Sequence, residues 1–75
     1  MLRVVNEKTK QLFSIFKDAV QREREAQILY KQAADLCEDE ELRGFLEGLA
    51  KDEARHEKVL MQRYNRLAKK HGLEP

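Results

Sequence analysis

Apolar and small side chains recur along the first half of the chain at Leu12, Phe16, Ala19, Ala26, Tyr30, Ala33 and Cys37. Their spacings of 4, 3, 7, 4, 3 and 4 form a heptad-like seam on one helix face. The single gap of seven is filled by Glu23. A second stripe, Phe13, Val20 and Leu36, with Ile15, Ile28 and Leu29 nearby, widens the apolar surface beyond what one partner helix covers. The second half has its own seam, Leu42, Phe45, Leu49, His56, Leu60 and Leu67, which passes Asp52 or Glu53 between Leu49 and His56.

The breaks between these patterns are few. Pro75 is the only proline, and Gly44, Gly48 and Gly72 are the only glycines. The first helix is predicted over about residues 7–37, with Asn6 as its N-cap and Glu7 at the positive end of the dipole. Asp39 caps a second helix over about residues 40–70. Glu40 and Glu41 fall in its first turn, and Lys69 and Lys70 in its last, before His71 and Gly72 end it. Gly44 and Gly48 each cost a helix about 1 kcal/mol relative to alanine. They read equally well as weak spots and as sites of close backbone approach. The expectation is all-α: one domain over residues 1–75, an antiparallel two-helix hairpin that pairs into a four-helix bundle.

Length sharpens the need for a partner. A chain of 75 residues buries little core by itself and usually takes a disulfide, a metal or a second subunit. Cys37 is the only cysteine, so no internal disulfide forms. It reads as a small buried hydrophobe in a reducing, cytoplasmic compartment. Fifteen Lys and Arg against fourteen Asp and Glu leave a net charge of +1, which argues against a nucleic-acid partner. No apolar run approaches the length of a membrane span, and Met1 to Lys8 contain no continuous apolar leader segment.

Candidate chemistry comes from register. With the turn centred near residues 38 and 39, Glu23 falls level with residue 54, to within about one helical turn. Glu53 and His56 bracket that level and, three residues apart, share a face. Ala19, Ala26 and Ala54 next to these residues leave volume that a purely structural seam would fill with leucine or isoleucine. Two carboxylates and an imidazole in a seam need compensation. Either a metal ion supplies it, with Glu23, Glu53 and His56 as ligands, or ion pairs from Arg22, Arg24, Arg55 and Arg63 do. The register and the alanines favour metal. Glu25, Asp52 and Glu57 read as solvated or ion-paired residues.

Two stretches carry a family resemblance. Ala19-Val20-Gln21-Arg22-Glu23-Arg24-Glu25-Ala26-Gln27-Ile28-Leu29-Tyr30 resembles the first-helix pattern of rubrerythrins: a ligand Glu, an Ala three later and a Tyr seven later. Glu38 to His56 resembles the second, an acidic turn leading through Phe45 and Leu49-Ala50 to Glu53-Ala54-Arg55-His56. The likeness covers about residues 12 to 67 and points to the ferritin-like superfamily. Family members carry two such hairpins, whereas this chain has one; residues 37–46 are also similar to short encapsulated ferritins, which pair single hairpins. The rubredoxin module is absent, since no Cys-x-x-Cys pairs occur.

The resemblance implies a di-iron site shared between two chains, with Glu23, Glu53 and His56 from each, Glu53 bridging, and manganese or zinc as other occupants. It implies a ferroxidase that oxidises Fe2+ with O2 or peroxide for iron storage or detoxification. Tyr30, two turns from Glu23, would stand behind the ligands as a hydrogen-bonding or redox-active phenol, or else as an ordinary core aromatic. The expected partners are a homodimer or a larger even-numbered homo-oligomer, with a capsule shell or an electron donor beyond it; the expected location is the cytoplasm or a protein nanocompartment. Two competing readings are a rubrerythrin-like peroxidase and a metal-free dimerisation module.

Overall fold

A computed structural model describes residues 6–72 of the chain. Met1 to Val5, part of the stretch expected to hold no leader segment, and Leu73 to Pro75 lie outside the described residues. Two helices, α1 (Glu7–Leu36) and α2 (Glu40–Lys70), run antiparallel and pack on each other along their length. The hairpin measures 57 × 17 × 14 Å. Among the described residues that is a rod two helices across, with no third layer to close over it.

The ends follow from side-chain chemistry. Asn6 Oδ1 accepts from the Thr9 backbone N–H at 2.8 Å and starts α1. Asp39 Oδ1 accepts from the Glu41 and Leu42 N–H groups at 2.9 and 3.3 Å and starts α2. Between them Arg43 reaches back across the turn, donating to the Cys37 carbonyl from Nε at 3.2 Å and from Nη2 at 2.6 Å. The turn is thus held by the Asp39 cap and by Arg43 from α2. At the far end Gly72, with φ of 71°, takes the left-handed conformation that closes a helix, and its N–H donates to Lys69 at 3.0 Å.

The contact between the helices is made mainly of small residues. Among the described residues the buried hydrophobic ones are Val20, Ala34, Ala50 and Ala68. On α1 the stripe facing α2 is Phe13, Val20, Gln27 and Ala34, at intervals of seven. On α2 it includes Ala50, Glu57, Met61, Tyr64 and Ala68. At the open end Tyr64 sets its ring edge-on to Phe13 (centroids 5.5 Å apart) and to Phe16 (6.4 Å), and His71 stacks edge-on against Phe13 at 6.2 Å.

The seams expected from the sequence therefore lie beside the helix–helix contact. Ala19, Ala26, Tyr30, Ala33, Leu49, Leu60 and Leu67 are half-buried, and Leu12, Leu42 and Phe45 are exposed. Phe45 is 61 % and Leu36 84 % exposed. A side chain that size stabilises a fold by about 2 kcal/mol when fully buried, and the hairpin alone leaves most of that unrealised. Gly44 and Gly48 do not serve close approach within the hairpin, because a Cβ on either meets nothing within 4 Å.

Candidate metal centre

Glu23 sits at the middle of α1, between Val20 and Gln27 of the contact stripe, and is rotated off that stripe toward the open face. The antiparallel register brings it to the height of Glu53 and His56, which project one turn apart from α2. His56 Nδ1 lies 3.6 Å from Glu23 Oε2 and 3.7 Å from Glu53 Oε2. Both separations exceed hydrogen-bond reach. One ligand atom from each of the three residues falls within 4.8 Å of the others.

The three differ in exposure. The Glu23 and Glu53 side chains are 22 % and 20 % exposed, whereas that of His56 is 60 % exposed. Glu23 Oε2 is buried and has no hydrogen-bond partner. Leaving a carboxylate oxygen so costs about 1–3 kcal/mol unless something else satisfies it. The four arginines offered by the sequence do not. Arg24 pairs with Glu57 and Arg55 with Asp52, and among the described residues no hydrogen bond or ion pair joins Arg22 or Arg63 to the cluster.

A divalent ion holds nitrogen and oxygen ligands at about 2.0–2.2 Å, so atoms on opposite sides of one ion lie about 4.4 Å apart. A set spanning 4.8 Å closes on an ion with shifts of a few tenths of an ångström. The donor set, two carboxylates and one imidazole, suits iron or manganese and also zinc. Glu23, Glu53 and His56 thus form a cluster of potential metal ligands within one hairpin.

A different arrangement occupies the other edge of the same turn. Glu57, one turn beyond Glu53, accepts from Arg24 Nε at 2.9 Å through Oε2 and from Gln27 Nε2 at 2.7 Å through Oε1. The Gln27 amide also donates to the backbone carbonyl of Glu23 at 3.3 Å. The hydrogen bonds from Arg24 and Gln27 hold the Glu57 carboxyl below the usual carboxylate range, outweighing the opposing effect of burial. Sequence reasoning offers Arg24 as an ion-pair partner for the cluster, reads Glu57 as solvated or ion-paired, and gives Gln27 no role; the structure pairs Arg24 with Glu57 instead. The available signal was Gln27 as the polar member of an otherwise apolar stripe, Phe13, Val20, Ala34.

The remaining candidates fall around the cluster. Tyr30 is half-buried two turns along α1, and no hydrogen bond joins it to Glu23, Glu53 or His56. Glu25 accepts from Gln21 at 3.2 Å and stays exposed. Ala19 and Ala26 are half-buried on the same helix as Glu23. Ala54 opens no room at the ligands: it is exposed and lines a hollow on the opposite edge with Gln27, Lys31, Glu47, Ala50 and Lys51.

No helix among the described residues is long and apolar enough to cross a membrane. Residues 3–74 match the rubrerythrin family model. No curated protein and no solved structure matches the chain. With nearly its whole length matched, the chain belongs to the rubrerythrin family.

Proposed function

We propose that two copies of the hairpin pair through their open faces, and that Glu23, Glu53 and His56 of each hold a two-iron centre at the interface that oxidises Fe2+. The observation that carries this reading is the partnerless Glu23 oxygen, converging with Glu53 and His56 on the unfilled side of the rod. An exposed apolar surface around the cluster, with Leu12, Leu42 and Phe45 in it, supports the pairing. Family membership supports iron, since ferritin-like sites combine one Glu from each of two helices with Glu-x-x-His from each of the other two.

In this reading the protein's contribution is charge, geometry and exclusion of water. Four carboxylates, two per chain, balance two divalent ions in a poorly solvated bundle core. Glu53 from α2 and Glu23 from α1 would hold the ions by their carboxylates, and the His56 imidazole would supply the nitrogen donor. Bound iron would supply one-electron chemistry, two Fe2+ reducing one O2 with two protons to hydrogen peroxide, or one hydrogen peroxide with two protons to two waters. The carboxylates would stabilise the more highly charged ferric product. Tyr30 flanks the site from α1, and the products enter storage or detoxification in the cytoplasm or a nanocompartment.

Metal analysis of freshly purified protein tests the proposal. Iron near one ion per chain is expected, lost in His56→Ala, with Fe2+ shifting sedimentation toward the dimer by mass action. Protein that carries no metal and takes up no added Fe2+ would return the hairpin to the class of metal-free dimerisation modules. Comparing Fe2+ oxidation by O2 and by H2O2 separates ferroxidase from peroxidase.

A further inference from the structure

Beyond the ligands themselves, we infer that Glu57 is a positioning residue: through Arg24 and Gln27 it sets the height and rotation of Glu23 relative to Glu53 and His56. The inference rests on the metal reading above and adds a function to three residues outside the ligand set. Its basis is the layout of three hydrogen bonds, two of them to the Glu57 carboxylate. Arg24 and Gln27 are the first and fourth residues after Glu23 on α1, so they bracket the turn of helix that follows the ligand. Both donate to the two oxygens of one carboxylate on α2, at 2.9 and 2.7 Å. That carboxylate belongs to the residue immediately after His56 and four after Glu53. Gln27 closes the loop by donating to the Glu23 carbonyl at 3.3 Å.

Two carboxylates one helical turn apart thus take different parts. Glu57 has both oxygens engaged by α1 and is not free to bind an ion. Glu53 is left to face Glu23 and His56. A helix pair held only by small residues such as Ala34 and Ala50 slides and rotates easily, because such side chains interlock weakly. Elsewhere the rings of Phe13, Phe16, Tyr64 and His71 meet at the open end, and Arg43 bonds to the Cys37 carbonyl at the turn. The clamp is the specific polar contact at the height of the ligands. It lies on the edge away from the open face, so it fixes the ligands without obstructing a second copy.

Co2+ binding, followed by its visible absorption, gives the test on the full chain. Wild type, Glu57→Ala, the charge-swapped Arg24→Glu/Glu57→Arg pair and Phe13→Ala are compared by affinity, spectrum and melting temperature. Glu57→Ala is expected to bind Co2+ roughly 10-fold or more weakly, as is usual when a residue orienting a ligand is lost, with an altered spectrum. The swapped pair should recover most of that affinity. Phe13→Ala, which loosens the hairpin at its open end, should lower the melting temperature and leave the spectrum unchanged. Should Glu57→Ala lose its helical circular dichroism, Gln27→Leu is judged by the same criteria. Unchanged affinity in Glu57→Ala, or an equal loss in Phe13→Ala, overturns the positioning role while the metal reading stands. A wild-type chain that binds no Co2+, Fe2+ or Mn2+ overturns both.

Discussion

Glu53 and Glu57 are the same residue type, one turn apart on one helix, and they end in opposite states. Glu57 is held by an arginine and an amide from α1, and its carboxyl is the easier to ionise for it. Glu53 faces the His56 imidazole across 3.7 Å, too long for a hydrogen bond, with a Glu23 carboxylate oxygen within 4.8 Å. The difference comes from rotation about α2. The Glu57 edge meets donors from α1, whereas the Glu53 edge turns toward the side where the rod has no third layer. One edge is complete in a single chain and serves stability. The other is left unsatisfied in a single chain, which is what a ligand or a partner requires of a site.

If the open face is where a second copy sits, a charge placed there should have the largest effect. Leu12→Glu or Phe45→Glu would bury an unpaired carboxylate in both halves of a two-fold interface, weakening association roughly 100-fold or more. Lys31→Glu, on the clamp edge, should leave association unchanged, since that residue lines the hollow beside Gln27. Sedimentation equilibrium over a range of concentrations reads both. Dimers that survive Phe45→Glu but not Lys31→Glu would reverse the assignment of the two faces.

A single substitution applied to each edge tests the comparison within one hairpin. In metal-free protein, Glu23→Met removes the buried oxygen that has no partner and should raise the unfolding free energy by about 1 kcal/mol. Glu57→Met leaves Arg24 and Gln27 without their acceptor and should lower it by about 1 kcal/mol, a modest figure because Arg24 is half exposed. Urea unfolding in chelator gives both values. Two changes of the same sign would mean that the edges do not differ as described.

The hairpin was readable from the chain because its signals are local. Asn6 and Asp39 have the side chains that cap helices, and no proline interrupts residues 7–70. The convergence of Glu23 with Glu53 and His56 was readable because counting from the turn fixes height, and a half-turn of error still leaves the three adjacent. Rotation was harder. Heptad spacing puts Leu12, Leu42 and Phe45 in the seams, and they are exposed, whereas the buried residues Val20, Ala34, Ala50 and Ala68 lie off those seams. For the same reason the clamp was hidden: Arg24 and Glu57 are 33 residues apart, and only the helices' rotation tells that they meet. The partnerless oxygen of Glu23 is a property of three-dimensional packing and has no counterpart in spacing.

Acid should erase the clamp edge gradually, and this is the smallest of the expected effects. Hydrogen bonds from Arg24 and Gln27 lower the folded pKa of Glu57 below its unfolded value. The stabilisation from Glu57 is then fully present above the ordinary carboxylate range and is lost as pH falls through the lowered folded value. In metal-free protein, the difference in melting temperature between wild type and Glu57→Gln should therefore hold steady from neutral pH to about pH 5 and shrink toward zero on further acidification. Added salt should narrow it at neutral pH, because the Arg24 side chain is 52 % exposed and its pairing is screened. A difference that widens as carboxylates become protonated would mean that neutral Glu57 is the form the helices prefer, and that the donors from α1 do not hold it as a carboxylate.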